Sequence, residues 1–100
     1  MEEDTRKKIR ETLSGLPERG DLLPFLELVK DHKLVSDVRE FGVGFMVGYA
    51  YASGIGMVLA ERVYFGDLRR ISEEEKSIVI SMVMEEFVKF RERVERELGR

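Results

Sequence analysis

Few side chains in this chain could do chemistry. His32 is the only histidine and lies between Asp31 and Lys33, near the end of a predicted helix. A lone histidine lacks the partners that a nucleophilic triad or the Glu-x-x-His pairs of a di-iron bundle would supply. Because the chain contains no cysteine, thiolate metal sites, cysteine nucleophiles and disulfides are excluded as well. We therefore expect no catalytic residue and no bound cofactor.

Carboxylates leave one metal chemistry open. Asp37 and Glu40 lie one helical turn apart, and Glu85 and Glu86 lie beside a broad apolar stripe. Oxygen ligands of this kind suit Mg²⁺ or Mn²⁺, so a carboxylate-metal-dependent hydrolase on a helical bundle is one alternative function. The spacing does not bring three carboxylates to one point, and solvated helix ends account for the same residues.

The charge distribution does not indicate a nucleic-acid partner. The net charge is −3 and the two signs are interspersed, whereas nucleic-acid binders concentrate Lys and Arg on one face. Arg62, Arg69 and Arg70 are the nearest approach to a basic cluster. The first ten residues are mostly charged and do not form the apolar core of a secretory signal. The default expectation is a cytoplasmic protein.

The composition is that of a small, highly charged globular chain. Charged residues make up 37% of its 100 residues and hydrophobic residues 43%. A chain of this length has material for one core, so we expect a single domain over residues 1–100. Asn, Gln, Cys and Trp are absent, which is the bias reported for proteins of thermophiles; chance depletion in a short chain is the alternative.

Prolines, glycines and capping residues divide the chain into four predicted helices. Pro17 follows the first helix and Gly66 the third, because proline cannot continue a helix and glycine suits the position after one. Asp21, Ser36 and Ser72 have side chains that can cap the second, third and fourth helices. The predicted helices span residues 3–14, 21–33, 36–65 and 72–98.

The fourth predicted helix has the clearest start, because Ser72 and Glu75 match a capping box. Its apolar stripe is broad enough to contact two neighbours, and consists of Val79, Ile80, Val83, Met84, Phe87, Phe90 and Val94. The third and fourth helices are nearly equal in length with about six residues between them, which favours an antiparallel hairpin. The predicted fold is an all-α bundle of two short N-terminal helices and this hairpin.

The third helix contains no charged residue from Phe41 to Ala60. Twenty uncharged residues are enough to cross a membrane, so a membrane-associated subunit anchored through 41–60 is a second alternative. Five glycines, two tyrosines and Ser53 weaken this interpretation. The other helices carry only short apolar stripes and offer no membrane partner. We therefore favour a helix that is covered by protein on all sides.

Small residues recur every four positions along this helix. Such a ridge lets another helix approach closely, with the closest crossing near Gly48 and Ala52, while Ala50 and Gly54 lie on a different side. Helix packing explains the glycines better than ligand binding, since no G-x-G-x-x-G or Walker pattern is present. The predicted interface consists of Gly44, Gly48, Ala52, Ile55, Gly56, Leu59 and Ala60.

A second copy of the chain is the simplest cover for this ridge. Two hairpins related by a two-fold axis would form a four-helix core with the short helices as lids. The alternative is that the two short helices cover the hairpin within one monomer. The sequence therefore favours a homodimer with a structural, adaptor or regulatory role. Tyr49 and Tyr51 could instead line a pocket for a small apolar ligand.

Overall fold

The computed structural model describes residues 1–18 and 22–99, and throughout this part of the chain it contains helices and no strand. The helices are α1 (Glu3–Gly15), α2 (Leu22–Asp31), α3 (Val38–Tyr64), α4 (Glu73–Glu85) and α5 (Phe87–Leu98), and a 3-10 turn at Leu16–Glu18 follows α1. The predicted all-α fold is confirmed. The molecule is elongated, with dimensions of 45 × 21 × 21 Å.

Helix α3 lies at the centre, and each of the other four helices packs against it. Gly42 and Gly54 make this packing close. A Cβ atom placed on Gly42 would lie 3.1 Å from both Leu26 and Val94, and one placed on Gly54 would lie 2.6 Å from Val79. These two glycines therefore let α2, α4 and α5 approach the backbone of α3 closely.

The core extends from one side of α3 into α1, α4 and α5. Ile9 and Leu13 of α1 and Phe90 of α5 are fully buried. The ion pair Arg93–Glu97, 2.7 Å long, is nearly buried too, and Arg93 donates a 2.6 Å hydrogen bond to the carbonyl oxygen of Pro17. This bond ties α5 to the 3-10 turn after α1.

The capping residue at the N-terminus of α3 lies one position later than predicted. The cap is Asp37, whose carboxylate accepts a 3.0 Å hydrogen bond from the backbone N–H of Glu40. Ser36 lies one residue too early to reach that position, so the helix spans Val38–Tyr64 instead of residues 36–65. The other predicted cap, Asp21, lies outside the described residues.

Helices α2 and α3 end in the same way with different residues. Gly66 has a φ of 72°, and Lys33 has a φ of 53° at the corresponding position after α2. After α3, the backbone N–H of Asp67 bonds to the carbonyl of Arg62 at 2.8 Å; after α2, that of Leu34 bonds to Val29 at 3.1 Å. These bonds close Schellman motifs. Helix α2 therefore ends at Asp31, two residues before the predicted end.

The predicted fourth helix, residues 72–98, is two helices in the structure. Its start is as expected, because Ser72 and Glu75 form the capping box. At Glu86 the backbone N–H bonds to Val83, three residues back, and ψ is 1°, so the α-helical pattern is interrupted. No proline or glycine marks this point. The interruption separates α4, which packs on α1, from α5, which packs on the 3-10 turn.

A candidate interaction surface on α3

Helix α3 has one buried side and one exposed side. The buried side consists of Gly42, Val43, Met46, Ala50, Gly54 and Val58. The seven predicted interface residues lie on the other side, where Ile55 is half-buried and the rest are exposed: Gly44, Gly48, Ala52, Gly56, Leu59 and Ala60. The four neighbouring helices of the chain therefore leave one side of α3 exposed, and cover on that side by a second copy stays a prediction.

The exposed glycines have no packing partner within the described part of the chain. A Cβ atom placed on Gly44, Gly48 or Gly56 would meet no atom within 4 Å. The close crossing expected near Gly48 is thus not made by the described helices of this chain. Each glycine within a helix costs about 1 kcal/mol relative to alanine. The described contacts of one copy do not offset this cost.

An aromatic row borders the exposed side of α3 next to α2. The ring centroid of Phe25 in α2 lies 5.8 Å from that of Phe41 and 4.6 Å from that of Phe45. The ring of Phe45 lies 6.4 Å from that of Tyr49. These aromatic residues were not among the predicted interface residues. The signal that could have found them is the i,i+4 spacing of Phe41, Phe45 and Tyr49 along α3.

A shallow depression borders the same side of α3 next to α4. Its volume is about 270 Å³, and it is lined by Val47, Gly48, Tyr51, Ile80, Val83 and Met84. Ile80 and Met84 are 48% and 51% exposed, and both belong to the apolar stripe that the sequence predicts to be broad enough for two neighbours. They add two large aliphatic side chains to the exposed surface.

These residues form one continuous uncharged surface, which we call the α3 face. It comprises Gly44, Phe45, Gly48, Tyr49, Ala52, Ile55, Gly56, Leu59 and Ala60 of α3 with Ile80 and Met84 of α4. The hydroxyl of Ser53 beside it donates a 2.9 Å hydrogen bond to the carbonyl oxygen of Tyr49.

The accessible area of the chain is larger than that of a typical folded monomer. The structure exposes 6774 Å², whereas a monomer of this mass, 11.6 kDa, exposes about 5,800 Å². The excess is roughly 900 Å² over the whole chain, to which the elongated shape contributes, and each partner in a standard protein interface buries ~800 Å². The α3 face supplies an uncharged surface on which such an area could be buried.

The carboxylates considered for a metal site serve other contacts. Glu40 pairs with Arg91 at 3.0 Å, Glu85 with Arg10 at 3.8 Å and Glu86 with Lys89 at 3.0 Å. Asp37 caps α3, and His32 is exposed after α2. Among residues 1–18 and 22–99, no group of three or more Asp, Glu or His side chains could hold a metal ion.

The arginines near the α3–α4 connection form a structural clamp. Arg62 pairs with Glu75 and donates to the carbonyl oxygens of Arg69 and Arg70 at 3.3 and 2.9 Å. Hydrogen bonds from Arg62 and from the backbone of Ser72 lower the pKa of Glu75 from 4.5 to about 2. Arg62 is therefore not available to bind phosphate.

Asp67 holds Arg69, a second arginine of this connection. The side chain of Arg69 donates to both carboxylate oxygens of Asp67, at 2.7 to 3.0 Å. These hydrogen bonds lower the pKa of Asp67 to about 2. The candidate basic cluster is thus largely neutralised by its own acidic neighbours.

Helix α3 is long and apolar enough to cross a membrane by length and composition, with a mean hydropathy of 1.5 over its most apolar window. Only 28% of that window is buried within the structure.

The comparisons with family models, with curated proteins and with solved structures found no match for this chain. The case for function therefore depends on the surface itself.

Proposed function

We propose that this protein is a homodimeric helical module with a structural, adaptor or regulatory role, and that the α3 face is its dimer interface. The observation that carries the proposal is the exposed, uncharged side of α3, which has room for a close neighbour at Gly44, Gly48 and Gly56. Large contiguous apolar patches on water-soluble proteins mark binding sites.

The intrachain contacts support a hairpin as the unit that dimerises. Gly54 of α3 lies against Val79 of α4, and Gly42 lies against Val94 of α5. The numbers fall along α3 as they rise along α4 and α5, as in an antiparallel hairpin. Each copy would contribute this hairpin to a shared core, with α1 and α2 on its outside.

A second copy explains the α3 face better than a lipid bilayer does. The opposite side of α3 packs onto four helices, and the first turn of α3 is joined to α5 by the ion pairs Arg39–Glu95 and Glu40–Arg91. Insertion of α3 would require these contacts to separate or charged side chains to enter the hydrocarbon, at a cost of several kcal/mol. A second α3 face covers the same surface and leaves the fold of each copy intact.

Absolute mass tests the proposal. Light scattering on a sizing column, in buffer without detergent and over a hundredfold dilution, should give twice the 11.6 kDa chain mass. Ala52→Glu places a charge at the centre of the α3 face and should give a monomer, whereas the control Ser14→Glu, on the exposed surface of α1, should remain dimeric.

Two results would contradict the proposal. A monomer at every concentration would show that the α3 face does not bind a second copy. A protein that stays in solution only with detergent or vesicles would favour the membrane-anchored alternative.

A further inference from the structure

We infer that the two copies pair through antiparallel α3 helices whose crossing is centred near Ala50, an inference that rests on the proposed function. In an antiparallel pair, one residue from each copy lies at the same level along the helix axes when the two residue numbers add up to a fixed total, which is 100 for a crossing at residue 50. For a crossing centred on residue 50, Gly44 lies beside Gly56 of the second copy, and Gly48 lies beside Ala52. Small residues then meet small residues at the centre, which permits close approach of the two backbones.

The large residues of the α3 face, together with Phe41 beside it, follow the same symmetry. Phe45 lies at the level of Ile55 of the second copy, and Phe41 at the level of Leu59. Tyr49 likewise lies at the level of Tyr51. The sequence of this side of α3 is therefore nearly palindromic in size, with small residues opposite small ones and large residues opposite large ones. This pattern fits an antiparallel two-fold pair, because each half of the helix then packs against the other half of its partner.

The length of α3 agrees with this centre. Its 27 residues span about 40 Å, and their midpoint, residue 51, lies within one residue of the proposed crossing. Two helices paired there would overlap along almost their whole length. Val63 at one end is 67% exposed, and Leu34, four residues before α3, is 64% exposed. The antiparallel pair brings these two apolar side chains to the same end of the dimer.

A parallel pair fits the structure less well. It would place two helix N-termini side by side, where their partial positive charges repel, and two C-termini side by side at the other end. It would also place each Arg62 near Arg62 of the second copy and each Glu40 near Glu40. The antiparallel pair places opposite helix ends together.

The depression next to α4 lies at the level of the crossing. Gly48 and Tyr51 line it from α3, and Ile80 and Met84 line it from α4. A two-fold axis perpendicular to the α3 pair keeps both α4 helices on the same side of that pair. Ile80 and Met84 of the two copies would then cover the crossing and complete a core of α3, α4 and their two symmetry mates.

Disulfide trapping tests the orientation, because the natural chain contains no cysteine. Gly44→Cys and Gly56→Cys each have space for the new side chain in one copy. The two variants, one carrying a mass tag, are mixed one to one, refolded together from urea and oxidised. About half of the mixed sample should become a tagged–untagged covalent dimer, the statistical share of a symmetric dimer.

Each variant alone should fail to cross-link in the antiparallel dimer. The two thiols that Gly44→Cys introduces would be about 18 Å apart along the helix axes, whereas a disulfide needs Cα atoms within about 7 Å. Glu92→Cys, on the exposed surface of α5, measures cross-linking by random collision. Sizing of the reduced variants shows whether the new side chains leave the dimer intact; if they do not, Phe45→Cys with Ile55→Cys is the equivalent pair.

The outcomes separate the orientation from the dimer itself. Efficient cross-linking of Gly44→Cys alone would indicate a parallel pair and overturn this inference while leaving the homodimer in place. A dimeric mass without cross-linking of either pair would show that the interface lies elsewhere. A monomeric mass for the natural chain would overturn the proposed function as well.

Discussion

The two sides of α3 use the same small residues in opposite ways. On the buried side, Gly54 lets Val79 approach to a distance that any side chain would prevent. On the exposed side, Gly48 and Gly56 have open space above them. Both kinds of glycine weaken the isolated helix equally, but only the buried kind is explained by contacts within one chain. This difference identifies the exposed side as the place to look for a partner.

A leucine substitution at Gly54 should give the largest effect. The new side chain would be forced into Val79, so we expect Gly54→Leu to lower the free energy of unfolding by about 3 kcal/mol or more. Urea denaturation followed by circular dichroism at a fixed protein concentration measures the change. A stable, natively folded Gly54→Leu variant would contradict the close α3–α4 contact.

The same substitution at Gly48 should act on association instead of folding. Gly48→Leu has room for its side chain in one copy, so helical content should be retained while the dimer dissociation constant rises by about 100-fold, or roughly 2.7 kcal/mol. Light scattering over a dilution series measures the constant. If Gly48→Leu remains as tightly dimeric as the natural protein, the close crossing does not lie at Gly48.

Adjacent residues on the two sides provide a finer comparison. Val58 is buried and Leu59 is exposed. We expect Val58→Ala to lower the free energy of unfolding by about 2 kcal/mol at every protein concentration. Leu59→Ala should lower the apparent stability only at concentrations where the dimer forms. Urea midpoints measured at two protein concentrations a hundredfold apart distinguish these cases. If the effects of both substitutions depend equally on protein concentration, the two sides of α3 do not have different roles.

The charged end of α3 should respond to pH. The pKa of Glu75 falls from 4.5 to about 2 on folding, because Arg62 and Ser72 bond to its carboxylate. The stabilisation is therefore fully present above pH 4.5 and is lost as the pH falls toward 2.

Glu75→Gln keeps a capping side chain and removes the charge, so it should cost about 1 kcal/mol at pH 7. The difference from the natural protein should shrink between pH 4.5 and pH 2 in urea denaturation. Glu74→Gln, on the exposed first turn of α4, is the matched control. If Glu75→Gln lowers the stability equally at low and neutral pH, the charge of Glu75 is not the cause.

Alanine at Gly56 should give the smallest effect. In dilute solution, where the monomer predominates, Gly56→Ala should raise the free energy of unfolding by up to about 1 kcal/mol through helix propensity. At high concentration the gain should diminish, because the added methyl group enters the interface. A gain that is identical at both concentrations would place Gly56 outside the contact.

Several features of the fold could be predicted from the sequence because they depend on residues close together in the chain. The capping box of Ser72 and Glu75 and the end of α3 at Gly66 both involve groups within five residues of each other. The cap of α3 is Asp37, one residue after the predicted cap Ser36. Sequence patterns do not locate helix ends to within one residue. The interruption at Glu86 had no proline or glycine to mark it.

The sequence by itself determined that the chain is helical, that one helix is uncharged over twenty residues, and that small residues repeat along it. Only the tertiary structure decided that Gly42 and Gly54 pack inside the chain while Gly44, Gly48 and Gly56 stay exposed. It also placed Ile80 and Met84 on the surface. The physical reason is that an evenly apolar helix has no preferred side of its own, so the neighbouring helices decide which side becomes the core.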